Sequence, residues 1–218
     1  MFDGKRTIIE SGDYPQQLQR LDGMPERLYV IGNPDALHVP AIAVIGARRA
    51  SEHALRACRE VVRTAVGSGF AIVSGGARGV DAEAHRAALG LGGRTVAVLA
   101  HGLDRCYPPE HRGLFQQMVD AGGCLVSEQA WGVEPRPHLF RQRNRIVTAL
   151  SLAAVVCECG LPSGTFSAAD GALAQGCPVL AVPASGFSGS PQGTNALIAA
   201  GAVPVYDGPS LAERLSRL

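Results

Sequence analysis

Continuous apolar runs, bounded by glycine, proline and small polar residues, recur at residues 28–31, 42–45, 71–73, 95–99, 124–127, 153–157, 179–182 and 203–206. Several lack the alternation of a half-exposed strand, which predicts strands covered on both faces. Between them the apolar spacing changes to three and four. Ala54, Leu55, Cys58, Val61, Val62, Ala65 and Val66 form one helical stripe, with Ser51 placed to cap its start and Gly67 and Gly69 to end it. Further helices are predicted at 80–89, 109–121, 141–150, 163–175 and 192–200, with a short terminal one at 209–218. This alternation predicts an α/β fold: a doubly wound, mostly parallel sheet with helices on both faces and right-handed crossovers. Residues 1–40, with the turn Gly12-Asp13-Tyr14-Pro15, read as an arm packed on the sheet, and residues 41–218 as the domain itself.

Composition narrows the class. A chain of 218 residues with 46% apolar and 18% charged residues has the make-up of one globular domain. The net charge of +1 excludes a polybasic protein, so nucleic-acid binding here requires a local patch. No apolar run reaches the ~18 residues of a membrane span, and a cytoplasmic location is expected. The six cysteines are scattered, and Cys157-x-Cys159 lies in an apolar run without common metal-site spacing, so buried free thiols are expected and no metal or cofactor.

In open α/β sheets, ligands bind beyond the carboxyl ends of the strands, and four motifs fall there. Gly46-Ala47-Arg48-Arg49 follows a strand and precedes a helix, where free N–H groups and the helix dipole favour an anion such as phosphate. Ser74-Gly75-Gly76-Ala77-Arg78-Gly79-Val80-Asp81 has three glycines that permit a tight backbone wrap. Residues 136–145 carry four arginines and no acid around Phe140, the pattern of a stacking platform beside a backbone clamp. Ser163-Gly164-Thr165 opens a helix with small polar residues. Taken singly, each has a plainer reading: a turn, a helix entry, a salt-bridged surface. Arg56 and Arg63 are expected to be solvated. A dinucleotide fold is disfavoured because Ala47 and Arg48 stand where a second glycine should admit pyrophosphate. There is no phosphate-loop lysine motif, nucleophile elbow or zinc-protease motif.

In this order the motifs resemble the DNA-processing protein A (DprA, or Smf) family. The likeness runs from Tyr14-Pro15 through Pro25-Glu26-Arg27-Leu28-Tyr29, Val44-Ile45-Gly46-Ala47-Arg48, the glycine run at 74–81 and Tyr107-Pro108-Pro109-Glu110. It continues through Phe140-Arg141-Gln142-Arg143-Asn144-Arg145, Ser163-Gly164-Thr165 and Gly193-Thr194-Asn195. It implies a Rossmann-like domain, without the helical and winged-helix-like domains that many members carry, in a homodimer. It also implies binding of single-stranded DNA and delivery of that strand to a RecA-type recombinase in transformation, with no enzymatic activity. By motif, DNA binding falls on Gly46, Ala47, Arg48, Gly76, Arg78, Phe140, Arg143, Asn144 and Arg145. A phosphate pocket falls on Ser74, Gly75, Ser163, Gly164 and Thr165. The apolar stretch 187–197 is a candidate dimer face.

The alternative is a nucleotide sensor or an N-glycosidic nucleotide hydrolase of a related fold. Such hydrolases carry a catalytic glutamate on the helix after the fourth motif. Ala168 occupies that position here, which removes the acid–base group.

Overall fold

The computed structural model describes residues 2–174, 176–185 and 191–218. In chain order its elements are β1 (Arg6–Glu10), α1 (Gln16–Gln19), β2 (Arg27–Gly32), β3 (Ala41–Gly46), α2 (Glu52–Gly67), β4 (Ala71–Ser74), α3 (Val80–Gly90), β5 (Thr95–Val98) and α4 (Arg112–Asp120). There follow β6 (Cys124–Ser127), α5 (Pro137–Ala149), β7 (Ala153–Glu158), α6 (Gly164–Ala174), β8 (Val179–Ala181), α7 (Gly193–Ala199), β9 (Val203–Pro204) and α8 (Gly208–Leu215). The strands form one sheet in the order β1-β2-β6-β5-β4-β3-β7-β8-β9. From β6 to β9 every pairing is parallel; β1–β2 and β2–β6 are antiparallel. The doubly wound α/β architecture expected from the alternation is therefore present. Within the segment expected as an arm, β1 and β2 pair along the edge of the sheet and extend it.

Burial on both faces explains the unbroken apolar runs. Along β3, Ala43 and Ile45 face a core beneath α5, α6 and α7, while Ile42 and Val44 face a second core beneath α2, α3 and α8. The α2 stripe enters the second core through Cys58, Val61, Val62 and Ala65. A third cluster packs α4, through Leu114, Phe115 and Met118, against Ala97, Leu99 and Leu125. The thiols of Cys58, Cys124, Cys157 and Cys159 are buried and free, and desolvation pushes that of Cys124 up to about 12. No helix among the described residues is long and apolar enough to cross a membrane.

The strand order fixes the functional edge. After β3 the chain moves outward through β4, β5 and β6, then returns to place β7 on the other flank of β3. Connections therefore diverge between β3 and β7, and a crevice opens at their carboxyl ends. Pairing shifts register there, with Ile45 opposite Val156 but Gly46 opposite Glu158.

Candidate nucleic-acid interface

A groove of about 890 Å³ opens at that switch point. One wall is the end of β3 with Gly46, Ala47 and Arg48; the floor is Gly75, Ala77, Asp81 and Arg143. The far wall carries Phe140, Arg141 and Asn144 from α5 and Ser163, Gly164, Thr165 and Ala168 from α6. A bay of about 20 Å³ adjoins it, lined by Gly76, Arg78, His101 and Tyr107, with Arg48 and Phe140 bordering both cavities. Ser74 and Arg145 line neither.

Close packing dictates the glycines of the first two motifs. A Cβ on Gly46 would stand 2.5 Å from a methyl of Val80, and one on Gly79 would stand 2.1 Å from the Ala47 carbonyl oxygen. Gly79 also has φ +74°, a region that side chains rarely adopt. The loop after β3 and the start of α3 thus interlock, and the Val80 N–H donates to the Ala47 carbonyl at 3.2 Å. The Ala77 N–H donates to the Asp81 carboxylate at 3.2 Å. Two donors of the glycine run are therefore already engaged by the protein.

The same holds at α2, where the sequence suggests a phosphate. The Ser51 N–H and hydroxyl donate to the two oxygens of Glu158, at 3.0 and 2.6 Å, and the Ser51 oxygen caps the Ala54 N–H at 3.1 Å. A buried carboxylate from the end of β7 thus fills the anion seat of that helix. At α6 no such carboxylate intervenes among the described residues. Ser163 Oγ accepts from the Phe166 N–H at 3.0 Å, the Thr165 hydroxyl donates to the Gly46 carbonyl at 3.0 Å, and this N-terminus faces the groove.

The arginine cluster divides. Arg143 is only 4% exposed; its Nη1 donates to the carbonyls of Gly75 and Val98, and its Nε to Asn144 Oδ1 at 3.3 Å. It is built into the groove floor and does not stand at the surface. Burial lowers its pKa to about 10, with Asp81 opposing the shift and Arg48 adding to it. Burial also raises the Asp81 carboxyl, against the pull of Arg143, the Ala77 N–H, Ser74 and Arg48. Arg145 points away and pairs with Glu128 at 2.6 Å. Arg141 is exposed on the groove wall, with no ion-pair partner among the described residues. Arg48 lies over the Phe140 ring, 5.2 Å from its centroid, and Tyr107 packs on the same ring at 5.5 Å. Arg78 is exposed and ion-paired with Glu110. Ser74 is buried, its hydroxyl donating to the Val44 carbonyl at 2.6 Å, so it braces the sheet and does not reach the groove.

Sequence reasoning did not single out Asp81, Tyr107, Glu110 or Arg141 for this site. Arg143 stands two residues from both Arg141 and Arg145, so the helix turns it away from them, whereas Arg141 and Arg145 are four apart and start from one side. That spacing already set Arg143 apart; the Glu128 partner is what draws Arg145 from the groove.

A profile described as DNA recombination-mediator protein A matches residues 5–216. The chain belongs to that family. Among DNA recombination-mediator protein A relatives, Protein Smf of Escherichia coli is 38% identical over 94% of this chain and 55% of its own length. DNA processing protein DprA of Streptococcus pneumoniae is 35% identical over 89% and 68%. The chain thus spans roughly half to two thirds of these two family relatives. The X-ray structure of the S. pneumoniae protein superposes with TM-score 0.89 at 33% identity, over 96% of this chain and 74% of that one. DNA processing protein A of Helicobacter pylori, whose structure is described for its single-stranded DNA binding mode, superposes with TM-score 0.88 at 28% identity, over 98% and 97%. Outside the DNA recombination-mediator family, a molybdenum cofactor carrier of Chlamydomonas reinhardtii shares the fold alone, at TM-score 0.56 and 20% identity over 82% of this chain and 97% of that one.

Proposed function

We propose that this chain binds single-stranded DNA in the switch-point groove, acts by binding without turnover, and passes the strand to a RecA-type recombinase in the cytoplasm as a homodimer. The observation that carries the reading is Arg48 stacked on Phe140 between two cavities, with Arg141 and the start of α6 across the groove. Guanidiniums and helix N–H groups attract phosphates without regard to sequence, and an aromatic face accepts any base. Membership of the family, and the single-stranded DNA binding for which its H. pylori relative is described, support the same reading. Part of the stretch expected at a dimer face, residues 187–190, lies outside the described residues; its end forms α7.

Fluorescence anisotropy with a labelled single-stranded oligonucleotide of ~20 nucleotides and its duplex tests the proposal. If about three phosphates are neutralised, log affinity should fall with log salt at a slope of about −2. Phe140→Ala should cost about 1–3 kcal/mol, the contribution of one stacked base. Arg48→Ala should weaken binding equally across sequences and flatten the slope. Absence of binding at low salt would end the proposal. Sedimentation of the same sample reports whether two copies associate, and strand exchange with added recombinase reports the transfer step.

A further inference from the structure

Arg78 stands on the glycine loop after β4, and its Nε donates to Glu110. Both side chains reach into solvent, at 56% and 47% exposure. An isolated surface pair of this kind contributes little to stability. This one, however, is held in register by the backbone around it. Glu110 lies in the 3-10 turn Pro109–His111, and the buried His111 places its Nδ1 3.1 Å from the carbonyl oxygen of Gly76, two residues before Arg78. On the other side of the turn, Tyr107 packs on Phe140. Residues 107–111 therefore form a short strap that sets a ring on Phe140 and a carboxylate on Arg78, both at the rim of the bay shared with Arg48.

A carboxylate and a phosphate compete for the same guanidinium N–H groups. We propose that Glu110 is a built-in competitor: it holds Arg78 in the free protein and yields it to a phosphate of the bound strand. The bay between Arg48 and Arg78 is then a second phosphate seat beside the main groove. The inference rests on the single-stranded DNA reading and adds to it a ligand class. Only an extended polyanion, already anchored in the groove, reaches this seat with enough local concentration to displace a tethered carboxylate. A mononucleotide does not.

The test is binding of the ~20-nucleotide single strand at low salt by wild type, Glu110→Gln, Arg78→Ala and the double variant. Glu213→Gln, an exposed acid on α8, controls for general loss of negative charge. The expected result is an affinity gain of about two- to fivefold for E110Q, the scale of an exposed ion pair. The gain should be absent in the Arg78→Ala background and in E213Q. If wild type binds and E110Q gains nothing, gains no more than E213Q, or gains equally without Arg78, the competitor role is overturned while the groove reading stands. If wild type does not bind, both are overturned.

Discussion

Replacing Arg143 by methionine keeps an unbranched stem and deletes the guanidinium with its charge, and the structure fixes what is lost. Two buried carbonyls, those of Gly75 and Val98, lose a charged donor, and Asp81, itself only 7% exposed, loses the cation that most opposes its desolvation. Hydrogen bonds to a charged group contribute about 1.5–3 kcal/mol each, and breaking a buried charge pair costs about 3–5 kcal/mol. These descriptions overlap, so the expected loss is about 3–5 kcal/mol, a large share of the ~5–15 kcal/mol that holds a domain together. In urea, with a slope near 2 kcal/mol/M, the midpoint should fall by roughly 2 M. Arg143→Lys keeps the charge but cannot reach both carbonyls, and should fall between. Adding Asp81→Asn to the methionine variant removes the stranded carboxylate and should recover part of the loss. A methionine variant within ~1 kcal/mol of wild type would refute the structural role and make Arg143 a displaceable ligand.

Three further outcomes are expected. Gly79→Ala combines a positive φ with a contact to the Ala47 oxygen and should cost about 2–4 kcal/mol, whereas Gly164→Ala, whose Cβ meets open space, should stay within ~0.5 kcal/mol by thermal melting. Glu158→Ala should lose about 1 kcal/mol and make the variant, unlike wild type, stabilised by added sulfate, because the vacated start of α2 then accepts an external anion. Burial holds His85 down at about 3, and His101 and His111 are lowered by the same cause. The unfolded chain therefore binds protons that the folded one does not once pH falls below about 6.5, and His85 alone should remove about 2 kcal/mol by pH 5. Asp81 titrates in the opposite sense and offsets part of this. Urea midpoints that stay level from pH 7.5 to pH 5 would contradict the assignment.

The fold was largely legible because parallel strands are buried on both faces, and their apolar runs needed no partner to be recognised. The strand missed, β1, is an edge strand whose five residues Arg6–Glu10 include charged ends and an exposed Ile8, so its pattern is set by pairing with β2. The placing of four motifs at strand ends followed from the α/β rule, and Arg48, Phe140 and the 163–165 run do share one groove. What the sequence hid was occupancy by the protein itself. Glu158 lies more than a hundred residues from Ser51, and only the β3–β7 pairing brings them together. Likewise the two carbonyls that draw Arg143 inward belong to the loop after β4 and to the last residue of β5, far away in the chain.

The interlock of Gly46, Ala47, Gly79 and Val80 has one more implication. The two loops approach so closely that a side chain at Gly46 would meet a methyl of Val80 and one at Gly79 the carbonyl of Ala47, so neither glycine can be exchanged without parting them. Adaptation of such a scaffold to new ligands is thereby channelled to the opposite bank, where α5 and the first turn of α6 carry open positions that tolerate exchange.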